Sequence, residues 1–157
     1  MKQVEVKTPI LIALYDELSA ADQQLVDEAR KATAKAYAPY SKFRVGAAIS
    51  LSNGEIITGS NQENAAYPSG TCAERTACYY AHFQYPDAKF QAIAIAACGV
   101  DGKEVAHPIS PCGNCRQALL EYEKLAGEDI KVILVGADEI YMLQSVKSLL
   151  PLAFSDF

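Results

Sequence analysis

Phe90-Gln91-Ala92-Ile93-Ala94-Ile95-Ala96-Ala97 is the stretch that decides the fold. Eight residues with one polar side chain are too few for a typical helix. The alternation of Ile93 and Ile95 with alanine predicts a strand apolar on both sides, as in a sheet covered on both faces. Working outward, Phe43–Leu51 and Glu55–Ser60 read as strands joined by Asn53-Gly54, a strong hairpin signal. Cys72 to the Tyr85-Pro86-Asp87 break and Cys112 to about Leu125 read as helices. Ile130–Val135 and Ile140–Leu143 read as strands, the second short, and Val146–Leu150 as a helical turn stopped by Pro151. Ser19 and Asp22 mark a helix start. Leu25, Val26, Ala29, Ala32 and Ala36 continue it at helical spacing, and Ala38-Pro39 should end it. The stretches 61–70 and 99–110 read as loops, and residues 1–18 leave strand and packed arm open. The expectation is a three-layer α/β/α sandwich with a mixed five-stranded sheet, one domain over residues 1–157.

Composition narrows the function classes. The chain is half hydrophobic and 21% charged, with a formal net charge of −5. Without a basic run, that balance argues against tracking a nucleic-acid backbone. The apolar run Pro9–Tyr15 is too short to span a bilayer, and no cleavage pattern follows it. Five cysteines without a secretory signal read as reduced thiols, so a cytoplasmic location is expected.

The chemistry concentrates in Thr71-Cys72-Ala73-Glu74-Arg75 and Pro111-Cys112-Gly113-Asn114-Cys115-Arg116. Cys72, Cys112 and Cys115 fall where helices should begin, so their side chains can converge beyond two helix ends with the positive dipole toward the thiolates. Three protein ligands and an open fourth position describe a catalytic zinc site. A closed structural site would need a fourth ligand, and His107 is its one serious competitor. Cys78, Cys98 and His82 are placed less favourably. Glu74, two residues from a ligand, suits proton transfer beside activated water, although a first-turn glutamate also complements a helix dipole. Arg75 is expected to donate to a ligand sulfur, offsetting the thiolate charge. Arg116 is open between that role and an ordinary helix surface.

These residues fill a signature known for zinc nucleobase deaminases, in its three-cysteine form. The chain resembles the small, homotetrameric cytidine deaminases. The likeness extends to Tyr40-Ser41-Lys42-Phe43-Arg44-Val45-Gly46-Ala47-Ala48, to Asn61-Gln62-Glu63-Asn64-Ala65-Ala66-Tyr67-Pro68, and to the tail Leu149–Phe154. It runs from about residue 20 onward. Gln62, Thr71 and Asn114 depart from the family pattern without removing a catalytic group.

The resemblance implies one Zn²⁺ per chain on Cys72, Cys112 and Cys115, and hydrolytic deamination of cytidine and 2′-deoxycytidine. Glu74 would protonate N3 of the base and then serve the departing ammonia. Asn61 and Glu63 would hold the ribose 3′-hydroxyl, and Phe43 would stack on the base. Ala73 and Tyr67 would also contact substrate. Phe154 would reach a neighbouring subunit's site. For Phe43 and Phe154, plain packing is the competing role. A deaminase of a cytosine-containing antibiotic such as blasticidin S is the rival within the class. A non-enzymatic zinc module is the rival outside it, disfavoured by Glu74.

Overall fold

In the computed structural model, which describes residues 1–155, the strand predicted from Ile93 and Ile95 is β4 (Phe90–Cys98), an interior strand of the sheet. Its neighbours are β2 (Arg44–Leu51), antiparallel, and β5 (Lys131–Val135), parallel. With β1 (Leu11–Ala13), β3 (Ile56–Ser60) and β6 (Ile140–Leu143), the strand order is β1-β6-β5-β4-β2-β3, a mixed sheet.

The period of two sorts the side chains into two cores. Ile93 and Ile95 join Ala47, Ile49, Val132 and Leu134 beneath α2 (Ala73–Gln84) and α3 (Gly113–Ala126). Ala92, Ala94 and Ala96 join Ala48, Ile133 and Val135 beneath α1 (Ala20–Ala32). Helices therefore cover both faces, as the doubly apolar strand required.

Close approach is built in with glycine. A Cβ at Gly59 would lie 2.5 Å from the Ala77 backbone nitrogen of α2, and one at Gly46 would lie 2.2 Å from the Ala29 carbonyl oxygen of α1. Strands β2 and β3 thus seat a helix directly on backbone.

The sheet has six strands, not five. Within the undecided residues 1–18, Leu11–Ala13 pair antiparallel with β6, Leu11 opposite Met142 and Ala13 opposite Ile140. Thr8 Oγ1 donates to the Ser148 carbonyl at 2.9 Å and holds the arm beside it.

The first helix is also shorter than the proline signal suggests. Ser19 caps α1 by accepting from the Asp22 amide, and a 3₁₀ turn, Thr33–Lys35, ends the helical run before Ala38-Pro39. Tyr37 is already extended. Its amide donates to the Asn61 carbonyl at 2.9 Å, and its own carbonyl accepts from the Glu63 amide at 2.8 Å. Pairing with the 61–63 segment takes the chain out of the helix before the proline can.

At the far end of α3, the buried carboxylate of Glu123 accepts from the amides of Ile130, Val146 and Lys147 and from Ser145 Oγ. One side chain ties the helix to the start of β5 and to the 3₁₀ turn Val146–Leu149. No helix among the described residues is long and apolar enough to cross a membrane.

Candidate metal and nucleoside site

Cys72 is the N-cap residue of α2 and Cys112 that of α3, and neither uses its side chain to cap its own helix. Those thiols are left to face each other. Cys72 Sγ lies 3.9 Å from Cys112 Sγ, Cys112 Sγ lies 3.5 Å from Cys115 Sγ, and all three sulfurs fall within 4.8 Å of one another. A tetrahedral zinc with Zn–S near 2.3 Å places two sulfurs about 3.8 Å apart. The donor set therefore fits a zinc ion. Among the described residues, these three cysteines form the group with metal-ligand spacing.

The electrostatics match crowded thiols at two helix ends. The Cys72 thiol is held down to about 5, first by hydrogen bonding with Cys115 and then by Arg75 and Cys112. The same hydrogen bond with Cys72, followed by burial, pushes Cys115 up. Arg75 Nη2 approaches Cys72 Sγ at 4.0 Å, and its buried Nε has no protein partner among the described residues. Glu74 is 4% exposed in the first turn of α2. Burial, the leading cause, pushes its carboxyl up, with the Cys72 charge adding to it.

The other metal-ligand candidates lie elsewhere. Cys78 is buried within α2 with its thiol pushed up to about 12, chiefly by burial, and Sγ donates to the Arg75 carbonyl at 3.6 Å. Cys98 is buried at the end of β4. His82 packs against Tyr122, ring centroids 5.4 Å apart. His107 is exposed and pairs through Nδ1 with Glu139 Oε1 at 3.1 Å, so its imidazole serves the β5–β6 turn.

A cavity of about 410 Å³ opens beside Cys72, lined by Tyr40, Asn61, Glu63, Tyr67 and Arg75 among others. That volume suits a nucleoside-sized ligand. Both polar ends of Asn61 face backbone: Oδ1 accepts from the Val45 amide at 2.8 Å, and Nδ2 donates to the Phe43 carbonyl at 2.9 Å. Glu63 Oε2 accepts from the amides of Tyr40 and Ser41 at 2.9 and 3.2 Å. Hydrogen bonding from Ser41 foremost holds its carboxyl below the usual range. A carboxamide and a carboxylate keep further capacity after these bonds, a second amide hydrogen and several lone pairs. Both residues thus shape the 40–45 loop and still offer polar atoms at the cavity.

Phe43 is half-buried just before β2 and does not line this cavity. Lys42, beside it, has φ 57°, a left-handed conformation rare for a lysine. Ala73 is fully buried in the core under α2. Tyr67 is exposed on the cavity rim. Phe154 is 70% exposed, its carbonyl accepting from Gln117 Nε2 at 2.9 Å. The structure thus gathers the cysteines, Glu74, Arg75, Asn61, Glu63 and Tyr67 at one end of the sheet, and leaves Phe154 on the tail.

Sequence reasoning did not find the grip of Arg116. Its guanidinium donates to three oxygens, the carbonyls of Pro111 and Leu149 and Ser110 Oγ. Nothing local signals it, because Leu149 is 33 residues away. Ser41, Gln62, Asn64 and Thr71 also line the cavity and carried no individual expectation beyond the resemblance.

Comparison with known proteins agrees with this geometry. Residues 19–126 match the family model described as the cytidine and deoxycytidylate deaminase zinc-binding region. A cytidine deaminase of Halalkalibacterium halodurans is 40% identical over 133 residues, 85% of this chain and 93% of the relative. A probable cytidine deaminase of Dictyostelium discoideum is 38% identical, over 85% of this chain and 83% of its own length. Among solved structures, the cytidine deaminase of Burkholderia pseudomallei superposes with a TM-score of 0.70 at 36% identity, covering 87% of this chain and 100% of its own. That of Mycobacterium tuberculosis gives 0.66 at 31%, covering 88% and 100%. Three thiols at zinc spacing, a buried carboxyl beside them and a match across most of the chain agree, and the chain belongs to the cytidine and deoxycytidylate deaminase zinc-binding family.

Proposed function

We propose that this protein is a cytidine deaminase, converting cytidine and 2′-deoxycytidine with water to uridine and 2′-deoxyuridine plus ammonia, in nucleoside salvage. The observation that carries the reading is the sulfur triangle of Cys72, Cys112 and Cys115 with a buried carboxyl, Glu74, two residues from one corner. These cysteines would hold one zinc per chain, in a single domain spanning the sequence. Bound there, zinc supplies a Lewis acid that makes water nucleophilic at neutral pH.

The protein's own residues do the rest. Glu74, its carboxyl raised by burial, is suited to take one proton from water and give it to N3 of cytosine, then to take the second from the oxygen added at C4 and give it to the departing amine as the C–N bond breaks. Arg75 lays a fixed positive charge against Cys72 and limits the negative charge the thiolates accumulate. Asn61 and Glu63 offer their remaining polar atoms to the ribose, and Phe43, Ala73 and Tyr67 would complete the substrate's surroundings. The exposed rings of Tyr67 and Phe154 support a site shared between subunits of a homotetramer, since large exposed aromatics, one of them at a cavity rim, favour cover. The acidic balance supports a small nucleoside partner without nucleic acid or membrane, and five cysteines read as reduced thiols support the cytoplasm.

The test is ammonia release from cytidine, deoxycytidine, cytosine and blasticidin S by zinc-loaded protein. Turnover of the two nucleosides is expected. Failure with cytidine refutes the proposal, and turnover of blasticidin S alone would reassign the substrate to the antibiotic. Glu74→Gln is expected to retain zinc and lose about 10²–10⁴-fold in kcat, the range of general acid–base catalysis.

A further inference from the structure

Arg116 closes a ring around the start of α3. Its backbone amide donates to the Cys112 carbonyl at 3.0 Å, completing the first helical turn. Its side chain passes back outside that turn, with Nε on the Pro111 carbonyl at 2.8 Å and Nη2 on Ser110 Oγ at 2.8 Å. Nη1 reaches the Leu149 carbonyl at 2.9 Å, in the 3₁₀ turn before the tail. All three acceptors are neutral oxygens. The guanidinium's planar fork is thus used to fix directions in space instead of pairing a charge.

Position matters here because of what the ring encloses. Cys112 is exposed and its side chain makes no capping bond, so the contact its sulfur makes within α3 is with Cys115 Sγ at 3.5 Å, a fellow member of the triangle. The segment Ser110–Cys112 arrives from a loop, 99–110, that crosses to the helix without regular structure. Arg116 anchors two of its three residues by side chain and the third by main chain.

We propose that Arg116 is a positioning residue for the metal centre, holding Cys112 at its corner of the sulfur triangle by clamping the ligand loop to α3 and to the turn before the C-terminal tail. This rests on the zinc reading above. The ion's hold on the protein should then depend on Arg116 although the residue contributes no ligand.

The experiment measures zinc release from the loaded protein to the chromophoric chelator 4-(2-pyridylazo)resorcinol, alongside melting of the metal-free protein. Arg116→Gln is expected to release zinc about 10–100-fold faster, the range seen when groups that orient ligands are removed. Arg116→Lys should not restore retention, because one ammonium on a flexible stem cannot reach three fixed acceptors. Ser110→Ala, which removes one acceptor, should give a smaller acceleration and serves if Arg116→Gln folds poorly. Arg30→Gln is the control. Arg30 holds Glu104 through two bonds of 2.8 and 2.9 Å, so its loss should lower the melting temperature without speeding zinc release.

Wild-type release rates in Arg116→Gln, or equal acceleration in Arg30→Gln, overturn the proposal. Rescue by lysine would also overturn it, reducing Arg116 to a point charge. A wild-type chain that takes up no zinc refutes the zinc reading itself, and this inference with it.

Discussion

Replacing Gly59 by alanine separates the seating of α2 from general stability. The added Cβ would stand 2.5 Å from the Ala77 nitrogen, 2.7 Å from the Ala73 carbonyl oxygen and 2.9 Å from Ala77 Cα. All three are helix backbone, so no side chain can swing aside. Comfortable contact lies near 3.5 Å, so α2 must retreat by about 1 Å or β3 must bend. Overpacking of this kind costs about 1–3 kcal/mol, which for a chain of this size lowers the melting temperature by roughly 2–12 °C. Cys72 and Glu74 sit at the very end of the displaced helix, and a misplacement of about 1 Å can lose 10²-fold in rate. Gly46→Ala is the matched perturbation. Its Cβ would lie 2.2 Å from the Ala29 carbonyl oxygen and 2.6 Å from the Thr33 nitrogen, pressing on α1 and the turn after it, on the opposite face. Calorimetry, zinc per folded chain and kcat should show both variants destabilised, with the large losses of zinc and rate confined to Gly59→Ala. Wild-type melting and turnover in Gly59→Ala, or an equal kcat loss in Gly46→Ala, would refute the reasoning.

Glu123→Ala strips acceptors from three amides and a hydroxyl, buried or partly buried, and at about 1–3 kcal/mol for each donor left dry it should destabilise by at least about 3 kcal/mol in urea denaturation. A loss below about 1 kcal/mol would mean water replaces the carboxylate freely. Cys78, its thiol pushed up to about 12, should resist iodoacetamide at pH 8 in the folded protein, with a thiolate fraction on the order of 10⁻⁴, and react on unfolding. Peptide mass spectrometry reads this directly. Glu63 has a lowered folded pKa, so its stabilising contribution is fully present above the unfolded value near 4.3 and is lost as pH falls through the folded one. The stability gap between wild type and Glu63→Gln should therefore close on acidification, and a gap that widens would contradict the clasp on Tyr40 and Ser41.

The parts of the fold legible in the sequence are those whose cause is local. The isoleucine–alanine alternation of β4 gave both faces at once. Asn53-Gly54 marked a turn in which Gly54 takes φ 88°. What was not legible depends on partners far along the chain. Leu11–Ala13 become a strand only because β6, some 130 residues later, offers a free edge, and three apolar residues carry no alternation to betray it. The end of α1 is set by Tyr37 pairing with the 61–63 segment, so the proline at 39 marks a boundary that tertiary contacts had already moved. The ligand cysteines were legible because their chemistry is written in spacing. The clamp on them was not, since Arg116 reads as any helix arginine until Ser110, Pro111 and Leu149 are brought to it.

Strand direction explains why these distant pieces meet. β2 is antiparallel to both β3 and β4, so β3 and β4 run the same way and end at the same edge of the sheet. The segments leaving them, 61–72 and 99–112, therefore open side by side and deliver Cys72 and Cys112 to the starts of α2 and α3. Both helices cover one face, so their N-terminal ends, each the positive end of a dipole, converge on the sulfurs. β2 runs the opposite way and begins where those strands end: Arg44 pairs with Cys98, the last residue of β4, and Gly46 with Ser60, the last of β3. Phe43 and the 40–45 loop are thereby brought next to Asn61, which fastens them through both ends of its amide. Metal ligands, proton carrier and polar loop share one edge because the hairpin lies antiparallel beside β4. A strand inserted between β2 and β4 would keep every motif and still separate the loop from the cysteines.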